Sequence, residues 1–261
     1  MKRTDLWLVA PFVLCVAVAV VFGVPGIIPY RDETLGRLLS DTIPRLAVGV
    51  FLIILMCVRG YGGAFKPGWK GAHLLWSIPC FLVAIVNFPF TALIFGEADV
   101  VRTDLLWLFI LKCISIALLE EAFFRAVLVP VFLDRFRENK YAVLIAVIGS
   151  SALFALVHIV NLFFGAGIGA TALQVGYTFL IGCMLAVMLL YTKNIWLCIL
   201  VHAVFDVGGT IVTDLGEGYF QDLTFWILTA VIGVLCTVHI VLTVVKLTRS
   251  QISEQKKSSE N

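Results

Sequence analysis

Charge is scarce in this chain: 14% of its 261 residues are Asp, Glu, Lys or Arg, while 61% are hydrophobic. The net charge of +2 gives no ground for a nucleic-acid partner, and none is expected. The seven cysteines, Cys15, Cys57, Cys80, Cys113, Cys183, Cys198 and Cys236, never pair as C-x-x-C and fall one to a span. That spacing excludes a disulfide framework and a thiolate metal site, and leaves them as small apolar core residues. No repeat is visible, and no linker is long enough to separate two domains. The zincin pattern H-E-x-x-H is missing as well.

What the chain has is apolar runs of about twenty residues, the length that crosses a hydrocarbon core roughly 30 Å thick. The expected fold is all-α: a polytopic membrane bundle forming one integral membrane domain over residues 1–261. The expected spans are eight, at about 6–28, 43–58, 74–95, 105–133, 141–164, 171–192, 194–213 and 224–247, with a short second and a long fourth. The opening Met1-Lys2-Arg3 could begin a secretory signal, but the run from Leu6 to Ile28 is too long for one and lacks a small-x-small cleavage pattern. It is read as a retained first span. Residues 248–261 are short on apolar side chains and read as a disordered cytoplasmic tail.

Charge placement tests the span count independently. With the N-terminus inside, Lys2, Arg3, Arg59, Lys66, Lys70, Arg135, Arg137, Lys140, Lys193, Lys246, Arg249, Lys256 and Lys257 fall inside, 13 of the 19 bases. The outer loops hold Arg31, Arg37, Arg45 and Arg102, together with nine acids: Asp32, Glu33, Asp41, Glu97, Asp99, Asp104, Asp214, Glu217 and Asp222. This asymmetry obeys the positive-inside rule and sets both termini in the cytoplasm. The lack of an organelle-retention signal suits a bacterial cell membrane.

Ionisable groups within spans cost several kcal/mol unless they pair, so they mark a site. Three groupings occur between residues 105 and 213: Glu120-Glu121-x-x-x-Arg125, Phe154-x-x-x-His158 with Asn161 beyond it, and His202-x-x-x-Asp206. Positions four apart share a helix face, so Glu121 is placed to pair with Arg125. Glu120 lies about 100° around the helix and is free to face a cavity. Asp206 could orient His202 or present its own oxygen there. Together the three groupings supply a base, two imidazoles and a second carboxylate, enough for general acid–base hydrolysis. Asn87 and His239 stand alone in apolar spans and are read as helix-to-helix hydrogen bonders. His73 is expected to meet water in the inner interfacial loop.

The order Glu-Glu-x-x-x-Arg, Phe-x-x-x-His, His-x-x-x-Asn/Asp on consecutive spans resembles the CPBP family of intramembrane proteases, which includes type II CAAX prenyl endopeptidases, bacteriocin-processing and abortive-infection proteins. The resemblance covers about residues 105–213, the family's four-helix catalytic core. It implies that Glu120 activates water, that His158 assists it, and that His202 with residue 206 forms the oxyanion side. Residue 206 is Asp where well-studied members have Asn, and an ionised carboxylate would repel an oxyanion. Asp206 is then protonated, orients His202, or ligates a metal.

A metal-free mechanism is favoured and no cofactor is assigned. The alternative is zinc, with ligands drawn from Glu120, His158, His202 and Asp206. The leading expectation is an endopeptidase that cuts a small hydrophobic or lipid-anchored peptide at the membrane, with membrane lipids as its other partner. The alternative is a non-proteolytic interaction protein on the same scaffold, serving bacteriocin immunity or sensor-kinase regulation. A transporter would need Gly/Pro-broken helices in two matching halves, which are not evident.

Overall fold

A computed structural model describes residues 30–58, 62–66 and 70–260, with residues 10, 13, 14 and 17 beside them. The expected first span at 6–28 therefore lies almost wholly outside the described residues, as do Cys15, Arg59, Met1 and Asn261. What is described is a helical membrane bundle. Among the described residues five helical segments are long and apolar enough to cross a membrane, at Glu33–Val58, Ala142–Phe164, Ile168–Thr192, Ile195–Leu215 and Leu223–Lys257. The chain is a multi-pass membrane protein.

Helix α1, Glu33–Val58, is longer than the short span expected at 43–58. Asp32 accepts a hydrogen bond from the Leu35 amide at 3.0 Å and so caps the helix ten residues earlier. Helix α2, Gly71–Val86, and α3, Phe90–Phe95, replace the single span expected at 74–95. Pro89 has no amide hydrogen, and its ring disfavours the helical conformation at Phe88, so the ladder stops at Asn87.

The stretch expected as a long fourth span is a long helical run. It runs as α4, Leu106–Phe123, a π turn at Phe124–Leu128, and α5, Val129–Arg135. Pro130 cannot bond the Ala126 carbonyl and crowds it, which loosens the ladder to the wider π geometry. Helix α6, Ala142–Val157, tightens to a 3-10 turn over His158–Phe164 and ends at Gly165. Helix α7 is Ile168–Thr192, and α8 is Ile195–Leu215, capped by the Asn194 side chain on the Trp196 amide at 3.0 Å. A short antiparallel ribbon, β1 Ala98–Val100 with β2 Gly216–Gly218, ties the α3–α4 connection to the end of α8 and was not expected.

The last helix, α9, spans Leu223–Glu260, so the tail expected to be disordered continues it as helix. Gln251 and Gln255 donate to the carbonyls of Asn139 and Arg137, at 3.0 and 2.6 Å, and hold that extension against the α5–α6 turn. These bonds place 137–141 and the end of α9 at one end of the bundle. The Trp196 indole donating to the Phe65 carbonyl at 2.9 Å adds the 62–66 and 193–196 turns to it. The opposite end collects Asp32, Arg37, Asp99, Arg102, Asp104, Asp214 and Glu217, through the Arg102–Asp32 pair at 2.8 Å, the Arg37–Asp214 pair at 3.7 Å and the ribbon. The basic and acidic ends of the charge analysis are thus two physical ends.

The main core gathers residues of α1, α2, the α4–α5 run, α6, α7 and α8, among them Leu52, Ala84, Phe123, Val147, Met188 and Val201. A smaller cluster at the acidic end joins Leu38, Phe109 and Ile211. Asn87 donates to the Phe205 carbonyl at 2.7 Å and His239 bonds the Trp76 carbonyl at 3.1 Å, the helix-to-helix roles expected of both. His73 differs from expectation: its ring packs edge-on to Tyr191 at 5.9 Å and its Nδ1 is buried without a partner. Cys80, Cys113, Cys198 and Cys236 are buried, Cys183 is half-buried, and only Cys57 of the described cysteines is exposed.

Candidate active site

The two adjacent glutamates part as helix geometry requires. Glu121 is fully buried and turns toward α8, while Glu120 is half-buried and lines a cavity of about 1360 Å³. Glu121 makes two contacts: Oε2 lies 3.1 Å from Arg125 Nε, and Oε1 lies 2.8 Å from His202 Nδ1. The ion pair within α4 and the π turn is the expected one. The contact to His202 is not, because nothing in the sequence says that α4 and α8 are neighbours. Glu121 thus orients the imidazole, a role that was one of three left open above for Asp206.

With Nδ1 held by Glu121, the other nitrogen of His202 is turned to the remaining acids. Nε2 lies 3.6 Å from Glu120 Oε2 and 3.7 Å from Asp206 Oδ2. Asp206 Oδ2 is buried without a hydrogen-bond partner, so it is a polar atom left free for another group. His202, Glu120 and Asp206 all line the cavity.

His158 lines the same cavity, with Nδ1 against the Phe154 carbonyl at 3.0 Å. Among the described residues no hydrogen bond or ion pair joins it to Glu120; the imidazole that meets Glu120 is that of His202. Phe154 shows why an aromatic ring belongs in this motif. Its edge contacts reach His158 at 5.2 Å and His202 at 5.9 Å between ring centroids. The Arg125 guanidinium sits 4.3 Å from the same ring centroid, and its Nη1 and Nη2 find no acceptor, so the aromatic face supplies part of its compensation. Asn161 donates to Gln174 Oε1 at 2.7 Å, fastening the 3-10 turn after His158 to α7.

Two cavity residues escaped the sequence reading as site members. Lys112, nearly buried in α4, pairs with Asp214 of α8 at 2.5 Å. The signal was present, since a lysine inside an apolar run needs a partner, but the partner lies 102 residues away. Gln174 is the other, legible only once α7 is known to face Asn161.

The zinc alternative was tested on these donors. His202 Nδ1 is taken by Glu121 and His158 Nδ1 lies against a backbone carbonyl, which leaves Nε2 of each ring as the nitrogen that could ligate. Among the described residues no three His, Cys, Asp or Glu side chains stand as a metal-holding set. The residues as arranged do not fit the ion, and no step is derived through one.

Residues 102–208 match the family model described as Type II CAAX prenyl endopeptidase Rce1-like. The match falls on the region that carries the three motifs and supports a CAAX-type intramembrane protease in general, a family that acts on peptides or proteins. No curated protein and no solved structure matches the chain.

Proposed function

We propose that the chain is an intramembrane endopeptidase in which Glu120 activates water to cut a peptide bond of a small hydrophobic or lipid-anchored peptide. The observation that carries this reading is the arrangement around His202, with Glu121 and Arg125 fixing one ring nitrogen and Glu120 and Asp206 facing the other. A carboxylate at the edge of a cavity can take a proton from water while the water oxygen attacks the peptide carbonyl carbon. The C–N bond then breaks, and the proton goes on to the leaving amine. His202, held in one orientation, moves protons between Glu120 and the reacting oxygen or stabilises the charge that develops there. His158 and Phe154 shape the adjoining wall. The cavity's mostly apolar lining, including Val147, Phe154, Ile181 and Met184, suits an apolar substrate segment.

The same reading sets both termini in the cytoplasm, because the bundle end holding Arg135, Arg137, Lys140, Lys193, Lys246 and Arg249 is the basic one. The test of the activity compares membrane peptides from cells carrying the wild type and Glu120→Gln. Peptides that depend on Glu120 support hydrolysis. A Glu120→Gln variant that leaves the peptide set unchanged while preserving the phenotype of the wild type would turn the reading to a non-proteolytic interaction protein.

A further inference from the structure

The break between α2 and α3 is unwound backbone inside an apolar bundle, tolerated where protein buries it or where it lines a cavity. It lies against Gly208 and Gly209 of α8. A Cβ on Gly208 would stand 2.8 Å from the Phe88 nitrogen and 2.9 Å from the Asn87 carbonyl carbon, and one on Gly209 would stand 2.6 Å from Asn87 Nδ2. Two adjacent glycines clear a seat on α8 for one asparagine.

Asn87 gives one N–H of its side-chain amide to the Phe205 carbonyl at 2.7 Å. A primary amide carries a second N–H, which has no protein acceptor among the described residues. Asn87 also lines the cavity that holds Glu120, His202 and Asp206. Residues 206 and 209 share a face of α8, so the amide beside Gly209 stands on the face that carries Asp206, itself one turn along α8 from His202. At position 206 this chain has a carboxylate, which donates nothing when ionised, where the resemblance leads one to expect a neutral amide. A neutral amide comes instead from the residue that follows α2, outside residues 102–208.

Resting on the peptidase reading above, we infer that Asn87 is a substrate-binding residue whose second N–H bonds a carbonyl oxygen of the substrate beside Asp206, where a side-chain amide at 206 would otherwise act. Its bond to Phe205 and the two glycines hold the donor in place before substrate arrives, which is how a preorganised donor gains its effect.

The test uses the full chain in liposomes and a quenched apolar peptide chosen because the wild type cuts it and Glu120→Gln does not. Asn87→Ser and Asn87→Leu both remove the side-chain amide, Ser keeping one polar hydroxyl and Leu keeping the bulk. Each is expected to lower kcat/KM by about tenfold to a hundredfold. Adding Asp206→Asn to Asn87→Ser should restore most of that loss, since an amide then stands at 206. Equal slowing by Asn87→Ser with and without Asp206→Asn would assign Asn87 to packing alone and overturn the inference. If the wild type cuts while both Asn87 variants cut as fast, the inference fails and the peptidase reading stands. If no peptide separates wild type from Glu120→Gln, that reading fails and takes the inference with it.

Discussion

Replacing Glu121 by Gln tests the division of labour between the paired glutamates. Glu121 and Arg125 side chains are 0% and 1% exposed, and Glu121 also holds His202 Nδ1 at 2.8 Å. Gln keeps an oxygen for one of these contacts but removes the charge, leaving the guanidinium with the Phe154 face and no counter-ion. Removing one partner of a buried pair costs about 3–5 kcal/mol, because the other charge stays desolvated. For a chain of this size that is a fall of roughly 6–20 °C in unfolding midpoint. Glu120 is different: its side chain is 26% exposed and its contact with His202 Nε2 is at 3.6 Å. Glu120→Gln should therefore change stability by less than about 1 kcal/mol while abolishing cleavage. The measurement is thermal unfolding of both variants in detergent, with cleavage assayed in parallel. Equal midpoints for Glu121→Gln and wild type, or a Glu120→Gln variant that is the less stable of the two, would refute the assignment.

Asp206→Asn should retain cleavage and extend it to higher pH, because a neutral amide does not oppose an oxyanion; a loss of rate that added zinc restores would establish a metal role for Asp206 instead. Gly208→Ala should cost about 1–3 kcal/mol, since its Cβ would meet the Phe88 nitrogen and Asn87 carbonyl carbon at 2.8 and 2.9 Å; an unfolding midpoint equal to wild type would show that the α2–α3 break shifts freely. At the acidic end, hydrogen bonds from Arg102 hold Asp32 down from the ordinary 3.8 to about 2, so its contribution is present above about pH 4 and lost as pH falls toward 2. Carboxyl titration by NMR should show that Arg102→Ala returns Asp32 toward 3.8, and no change on that substitution would deny the pairing. A C-terminal reporter should be active only on the cytoplasmic side; activity outside would overturn the orientation.

The class of this protein could be read from residue order alone. Apolar runs of membrane length dictate helices because a backbone in hydrocarbon must bond within its own segment. The unequal distribution of bases and acids separates the two ends, and it reappears in the structure at opposite ends of the bundle. The candidate site was legible to the same degree, since groups that are costly at membrane depth stand out one by one: Glu120, Glu121 and Arg125, then His158, then His202 and Asp206. The split between adjacent glutamates also followed from 100° per residue.

Which side chain meets which was decided by packing between helices far apart in sequence. Local spacing linked Asp206 to His202, yet Glu121 from 81 residues away takes Nδ1, and His202 rather than His158 comes against Glu120. Lys112 found Asp214, and Asn87 found Phe205, by the same route. Periodicity also misplaced the ends of elements. Asp32 starts α1 early through a cap, Pro89 divides the third span, and contacts to the α5–α6 turn carry α9 through residues that composition alone left unstructured. Helix faces are a property of local geometry, so sequence determines them; which faces meet depends on how the helices pack across the whole chain, and only the tertiary structure supplies that.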